Sequence, residues 1–399
     1  MLDKRRRMTA EEMQELTPAQ RRRMHRRRAK RRMLVRLFTL LLVCLLVVTL
    51  WKNWDAVAPD KWWGNLQDSL AGSTGRYPVD VSGVNMKRLT LSGKYTVTFS
   101  DSYLTYLDDN GGEVVRYACT YPSGLLSTAG QYVLLAEQDG RRFRLNTRSG
   151  VVFEGTAEYP IITAAVNAKG QMALLTQGPQ GYTVQVIVYD RRGKVLYTRS
   201  RNQQAVDVAL SADGSQVGLL SVQATDGTLY SIVDVFSLSS TDTKPVCSHT
   251  VNNTLLYRLE YLGDTWLTAI GESGAVMLDT KDGLSTVYST GGMRLLGYAI
   301  GDNTLALALR PYGDTGDGQV QVVNKKGEPS CTVPFSGEFR QLSSNGKRYV
   351  LLTDSAVTEI TAAGQGKQAA VDNDGQQAVL TGHRVVVLGL NRVQAYDLK

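Results

Sequence analysis

Downstream of residue 77 the sequence holds no helical period for as much as a dozen residues; it runs in short alternating apolar stretches separated by Gly, Asn and Asp. Such a pattern predicts strands joined by tight turns. Two units recur. The first is a strand, a tight turn and an apolar strand, at 164–176 (AAVNAKGQMALLT), 208–221 (VALSADGSQVGLLS) and 341–353 (QLSSNGKRYVLLT). The second is a strand, an Asp/Asn-rich turn at Gly and an outgoing strand, at 107–115 (LDDNGGEVV), 145–152 (LNTRSGVV), 188–196 (VYDRRGKVL) and 278–284 (LDTKDGL). Asp, Asn and Gly stand at these places because hairpin turns need positive φ.

Together the units make a four-stranded module of about 40 residues, the period of propeller blades. Laid end to end, the modules fall at 84–120, 124–157, 161–201, 205–249, 254–290, 294–335 and 338–371. The remainder, 376–399, holds three strands, at 377–380, 384–388 and 393–398. The chain stops where a fourth is due, and 77–81 is an unassigned strand at the start of the domain. Pairing the two ends predicts an all-β, eight-bladed β-propeller with a mixed closing blade and no open sheet edge. Seven blades with an appended hairpin is the alternative.

The stretch 37–51 (LFTLLLVCLLVVTLW) carries no charge, and Met33, Leu34 and Val35 extend it to 33–51 if Arg36 snorkels toward the headgroups. Crossing about 30 Å of hydrocarbon takes about 20 residues, so a single transmembrane α-helix is predicted over 33–51. Residues 1–36 hold 14 Lys/Arg against 4 Asp/Glu, while Trp51, Trp54, Trp62 and Trp63 follow on the other side. Positive charge on one flank and an interfacial tryptophan belt on the other predict a cytoplasmic N-terminus and an extracytoplasmic propeller at the plasma membrane. Ala56-Val57-Ala58 fits a signal-peptidase site, but Pro59 follows it and the apolar run is long for a signal peptide. Retention as an anchor is the expectation.

Four segments follow from this: a basic tail at 1–32, the helix at 33–51, a juxtamembrane linker with its Trp belt at 52–76, and the propeller at 77–399. The tail reads as helical in two pieces, with capping-box spacing at Thr9 and Glu12 and again at Thr17-Pro18-Ala19-Gln20. Its second piece carries Arg21, Arg22, Arg23, Arg26, Arg27, Arg28, Lys30, Arg31 and Arg32, a cluster suited to anionic lipid. No base-reading residues interleave with these arginines, which disfavours nucleic acid. The chain's net charge of +8 is +10 in residues 1–36 and therefore −2 in the rest, where 31 basic residues face 33 acidic ones. Four cysteines, Cys44, Cys119, Cys247 and Cys331, form no disulfide framework or zinc spacing.

The units LNTRSGVVF, VYDRRGKVLY and MLDTKDGLSTVY resemble the strand-turn-strand signature of PQQ-like and WD40-like propeller repeats, across roughly 77–399. The whole layout of basic tail, single anchor and outer propeller also resembles a bacterial membrane family known only as a domain of unknown function. In quinoprotein repeats a tryptophan commonly closes each unit and docks on the next blade. Phe153, Tyr197, Tyr288 and Cys331 stand at those places here. The resemblance therefore implies a packing role for these residues. Without the tryptophans, and without the adjacent cysteines of the cofactor-binding branch, it does not imply a quinone site.

The chemistry-bearing residues are few. His25, His249 and His383 are the only histidines. His249 and His383 read as turn residues rather than members of a hydrolase triad, since no G-x-S-x-G elbow is present. The acidic turns Asp314-Thr315-Gly316-Asp317-Gly318 and Asp372-Asn373-Asp374-Gly375 lack the EF-hand spacing and its closing Glu, so plain turn chemistry is favoured over calcium. No cofactor, metal site or catalytic residue is expected. The function expected is a non-enzymatic binding or scaffolding module of the cell envelope, with the lipid bilayer and a protein or envelope polymer on the propeller face as partners. The alternative is an enzyme, quinone-dependent or hydrolytic, with its site in the central funnel.

Overall fold

The computed structural model describes residues 38, 39, 41–44 and 75–398, apart from 122, 241–243, 315 and 383. The chain divides into two compact units, Met1–Ala71 and Gly72–Lys399. In the first, residues 38, 39 and 41–44 are α-helical and expose Phe38, Leu41, Leu42 and Val43. Among the described residues no helix is long and apolar enough to cross a membrane. Most of the expected span 33–51 lies outside them, as do Arg36, Trp51, Trp54, Trp62, Trp63 and every lipid-binding residue expected between Arg21 and Arg32.

The second unit is an eight-bladed β-propeller. Its described strands form eight four-stranded antiparallel sheets, seven of them built from consecutive strands. Taking the first strand of each blade as innermost, the blades span 86–118, 124–156, 161–201, 204–252, 256–289, 294–336 and 339–370. The eighth contains Gln377–Leu380, Arg384–Leu388 and Arg392–Asp397, and its outermost strand is Val79–Asp80 from the start of the domain. Val79 is in register with Val393, and Asp80 with Arg392. The chain's two ends thus close the ring, and eight blades rather than seven result.

Burial explains the two strand chemistries. The second strand of a blade is covered by blades on both sides, so it takes apolar residues and small hydroxyl residues without alternation: Tyr95–Ser100, Met172–Gln177 and Tyr349–Thr353 are buried along all or nearly all of their length. The fourth strand forms the rim and alternates, as in Ser285–Ser289. The cores lie between blades. Phe143, Leu145, Met172 and Leu174, for example, pack together across the second and third. Each such side chain removed from water contributes roughly 1.5–3 kcal/mol.

The residues that close each unit do dock on the following blade. Phe153 lies against Phe143 with ring centroids 5.8 Å apart, and it covers Gly193 in the next blade's outer turn. A Cβ on Gly193 would sit 2.0 Å from that ring, and its φ is +83°, so glycine is required there twice over. Tyr197 packs on the core of the third and fourth blades, and Tyr288 on that of the fifth and sixth. Cys331 donates its thiol to the Thr361 carbonyl of the seventh blade at 3.3 Å.

Candidate functional site

Adjacent strands in a blade are antiparallel, so its turns sort onto two faces. First-to-second and third-to-fourth turns share one face; second-to-third turns and the connections between blades share the other. The central channel widens toward the first of these into a cavity of about 1210 Å³, lined by the innermost strands and their turns, including Gly93, Asn167, Gly263, Asp302 and Gly346. We call this the funnel face and its opposite the crossover face. Val79–Asp80, as a fourth strand, starts on the funnel face, where Gly75 lies against Gly111 and Gly112. The chain therefore joins the ring from the funnel side.

An innermost strand presents one unpaired edge to the channel, and its N–H groups need partners. The ring supplies them with side chains from the preceding blade. Asp207 Oδ2 accepts the Leu259 N–H at 2.8 Å, Gln341 Oε1 accepts that of Ala378 at 2.6 Å, and Gln377 Oε1 accepts that of Leu89 at 2.8 Å. Gln377 also donates to the Lys87 carbonyl at 3.1 Å, so it bridges the closing blade and the first. Asp207 and Gln341 stand at a repeated bulge, while Gln377 opens a strand that has none. The register shifts between Met86 and Arg88, Ile161 and Thr163, Ala205 and Asp207, Leu256 and Arg258, Leu295 and Gly297, and Phe339 and Gln341.

The charged groups in the channel belong to this belt. Asp207 is 4% exposed and also accepts the Val208 N–H at 3.0 Å. Burial pushes its carboxyl pKa up, and Arg258 together with the two backbone donors only partly offsets that. Arg258 Nε lies 3.6 Å from Asp207 Oδ2 and donates to Glu260 Oε1 at 3.1 Å. Burial alone would lower the guanidinium pKa, but the two carboxylates outweigh it and raise it. Tyr298 donates to Glu260 at 3.4 Å, and its hydroxyl is held neutral chiefly by burial. Four side chains from three blades are committed to one another here, an arrangement that fixes blade spacing rather than presenting a free acid or base.

The two faces differ in charge. On the crossover face the second-to-third turns carry Asp101, Asp139, Asp226, Glu272, Asp314 and Asp354, and the connections between blades carry Glu158, Glu338, Asp372 and Asp374. Arg141 is the one cation in those loops among the described residues; the adjoining strand ends add Arg142, Arg201, Arg294, Arg310, Arg340 and Arg392, of which Arg142, Arg340 and Arg392 pair with Glu137, Glu338 and Asp372. The same face exposes Tyr103, Tyr182, Tyr257 and Tyr312 at 42%, 50%, 45% and 64%, with Leu255 and Leu390. The fourth blade's hairpin, Gln216–Thr225 paired with Thr228–Ser237, is longer than its neighbours and ends on this face at Asp226-Gly227. The funnel-face turns are basic instead. Lys94, Lys169, Lys347 and Arg348 stand on the inner turns, and Arg148, Arg191, Arg192, Lys194, Lys244, Lys281, Lys325 and Lys326 on the outer ones. Against these twelve stand eight carboxylates among the described residues, Asp108, Asp109, Asp190, Asp213, Asp264, Asp282, Asp302 and Glu328.

His249 is not a turn residue: it lies in the rim strand Cys247–Asn252, where its Nδ1 is 2.9 Å from the Ser285 hydroxyl, and burial lowers its pKa. His383 lies outside the described residues. In the acidic turns, Asp314 accepts the Gly316 N–H at 3.0 Å, and Asp372 takes Arg392 at 2.7 Å and the Tyr396 hydroxyl at 3.1 Å. Sequence reasoning missed Asp207, Arg258 and Gln377. The one local signal was a polar residue interrupting an apolar inner strand, as Asp207 does in QAVDVAL.

Residues 76–397 match the family described as "Family of unknown function (DUF5711)". The chain belongs to that family. No curated protein matches its sequence. Among solved structures it is similar to the crystal structure of the eukaryotic initiation factor, at 10% identity and a TM-score of 0.55, over 82% of this chain and 89% of that one. It is also similar to apo AztD from Citrobacter koseri, at 12% identity and a TM-score of 0.50, over 79% and 90%. At such identities the likeness is one of fold alone.

Proposed function

We propose that this member of the family is a membrane-anchored binding module. Its anchor is the helix expected at 33–51, its N-terminus is cytoplasmic, and its ring stands outside the plasma membrane with the crossover face as the binding surface. The observation that carries the binding reading is that face itself. Exposed Tyr182, Tyr312, Leu255 and Leu390 on loops, and exposed Tyr103 and Tyr257 at the strand ends beside them, are held by a closed, rigid ring among ten carboxylates and one arginine in those loops. Aromatic side chains bring large contact area at small entropic cost, and loops on a rigid scaffold are where recognition concentrates. The acidic field selects a partner of basic character, a protein or a cationic envelope polymer.

The charge asymmetry at the anchor and the four tryptophans beyond it support the orientation. An enzyme working in the funnel has less support, because Asp207, Arg258, Glu260 and Tyr298 are spent on one another. Labelling of Tyr182→Cys by a membrane-impermeant maleimide in intact cells tests the placement, with Met24→Cys as the tail control. The proposal expects Tyr182→Cys to label without permeabilisation and Met24→Cys only after it. The reverse pattern overturns the placement.

A further inference from the structure

The funnel-side rim has a second pattern, repeated blade by blade. In five consecutive blades, the second to the sixth, the outer turn carries at least one cation, from Arg148 through Arg192 and Lys281 to Lys326. In the first four of these blades, exposed apolar residues follow at or near the start of the rim strand. Val151 and Val152 are 47% and 37% exposed, Val195 and Leu196 50% and 37%, Val246 53%, and Leu284 and Val287 66% and 59%. Rim strands alternate, so one outward apolar residue per strand is ordinary, but two beside a basic turn in the second, third and fifth blades, with Val246 between them in the fourth, make a continuous arc.

We propose that this arc docks the ring on an anionic lipid bilayer, the valines and leucines entering the headgroup region and the lysines and arginines meeting lipid phosphates. This rests on the membrane-anchored reading above. Three observations favour lipid as the occupant. The cations and the apolar residues alternate along one edge, as at an interface between headgroups and acyl chains. The arc is on the face where the ring's first strand, Val79–Asp80, begins. Its charge is opposite to that of the crossover face and complementary to anionic headgroups. A nucleic acid or acidic polymer would match the charge but gives no role to Leu284 and Val195.

The test uses the full chain reconstituted in vesicles of neutral phosphatidylcholine, or of phosphatidylcholine with phosphatidylglycerol. An environment-sensitive fluorophore is placed on Leu284→Cys, and a control fluorophore on Tyr182→Cys. The proposal expects a blue shift at 284 in anionic vesicles only, none at 182, and its loss at high salt. The combined variant Arg192→Glu, Lys194→Glu, Lys281→Glu and Lys326→Glu should abolish the shift, since each cation near an anionic surface contributes roughly a fivefold factor. Circular dichroism of that variant controls for folding, and the Lys/Arg interchange at the same positions should retain the shift. Equal spectra in neutral and anionic vesicles overturn the proposal, as does an equal shift produced by heparin without lipid. Flotation of the chain with neutral vesicles separately reports the anchor, so failure of the anchor and failure of the arc are distinguishable.

Discussion

The crossover and funnel faces are made by the same eight modules, yet they carry opposite chemistry. One holds exposed tyrosines among ten carboxylates and a single loop arginine; the other holds twelve cations against eight carboxylates, with exposed valine and leucine at its rim. These loops carry −9 on one face and +4 on the other, and the charges elsewhere bring the residues beyond 36 to a net of only −2, which hides the asymmetry. Composition averages over exactly the direction that matters. In a propeller, alternate turns belong to alternate faces, so sidedness is encoded by which turn of the module a charge occupies.

The strongest way to break the comparison is to remove the ring that separates the faces. Deleting residues 392–399 takes away the strand that pairs Val79 with Val393, together with the partner of Arg384–Leu388. The expected outcome is loss of the cooperative thermal transition and of protease resistance for the whole ring. A folded, resistant truncation would show that closure is dispensable.

Next in size is the belt that holds the blades at their spacing between the faces. Asp207→Ala leaves the Leu259 N–H unsatisfied and takes one carboxylate from the half-exposed Arg258, which keeps Glu260, and should cost roughly 2–3 kcal/mol, the upper part of the range for a hydrogen bond to a charged group. Chemical denaturation measures it. Gln377→Ala, which orphans only the Leu89 N–H and the Lys87 carbonyl, should cost roughly 1–3 kcal/mol. Equal costs at the two positions would mean that charge has no special part in the belt.

The pH dependence sharpens the picture further. Tyr349 is buried and its hydroxyl lies 2.6 Å from the Thr304 hydroxyl and 2.9 Å from the Thr304 carbonyl. Burial pushes its pKa up to about 12, above its ordinary value of 10.0. A raised folded-state value means that the stability is complete below pH 10 and drains away as pH rises through 12. Tyr349→Phe should lower stability at neutral pH, by about 1 kcal/mol for the lost hydrogen bonds, and flatten the alkaline decline. Thermal melting across pH 9–12 reads both.

The smallest effect on stability should have the largest effect on binding. Glu272→Lys with Asp314→Lys changes exposed turn residues of the crossover face, and surface changes of this kind fall within about 0.5 kcal/mol. Retention of a polylysine peptide by the ring should nonetheless drop sharply, while retention of anionic vesicles stays unchanged. Loss of both would mean that the two faces are not independent.

Much of this architecture was legible in the sequence for a physical reason. A buried second strand favours a non-alternating apolar run and a tight hairpin turn favours glycine, so YVLLT and VYDRRGKVL mark their places in a blade without help from tertiary structure. The closing blade was legible too, because three strands at the end and one at the start complete one module, though a seven-bladed ring with an appended hairpin is the alternative that only the Val79–Val393 pairing removes. The bulges were not, since an extra residue in an inner strand leaves the alternation nearly intact. Nor was the pairing of Asp207 with Arg258, which lie 51 positions apart and meet only when two blades pack. The anchor residues and tail arginines fall outside the described structure and rest on the sequence argument.

Site-specific photo-crosslinking in intact cells tests the central claim most directly, with the reactive group placed at Tyr182 or Tyr312 on the crossover face and at Leu284 on the funnel-side rim. The account predicts discrete protein or polymer adducts from 182 and 312, weakened by Glu272→Lys with Asp314→Lys, and lipid rather than protein at 284. Protein adducts from 284, with none from 182 and 312, would contradict it.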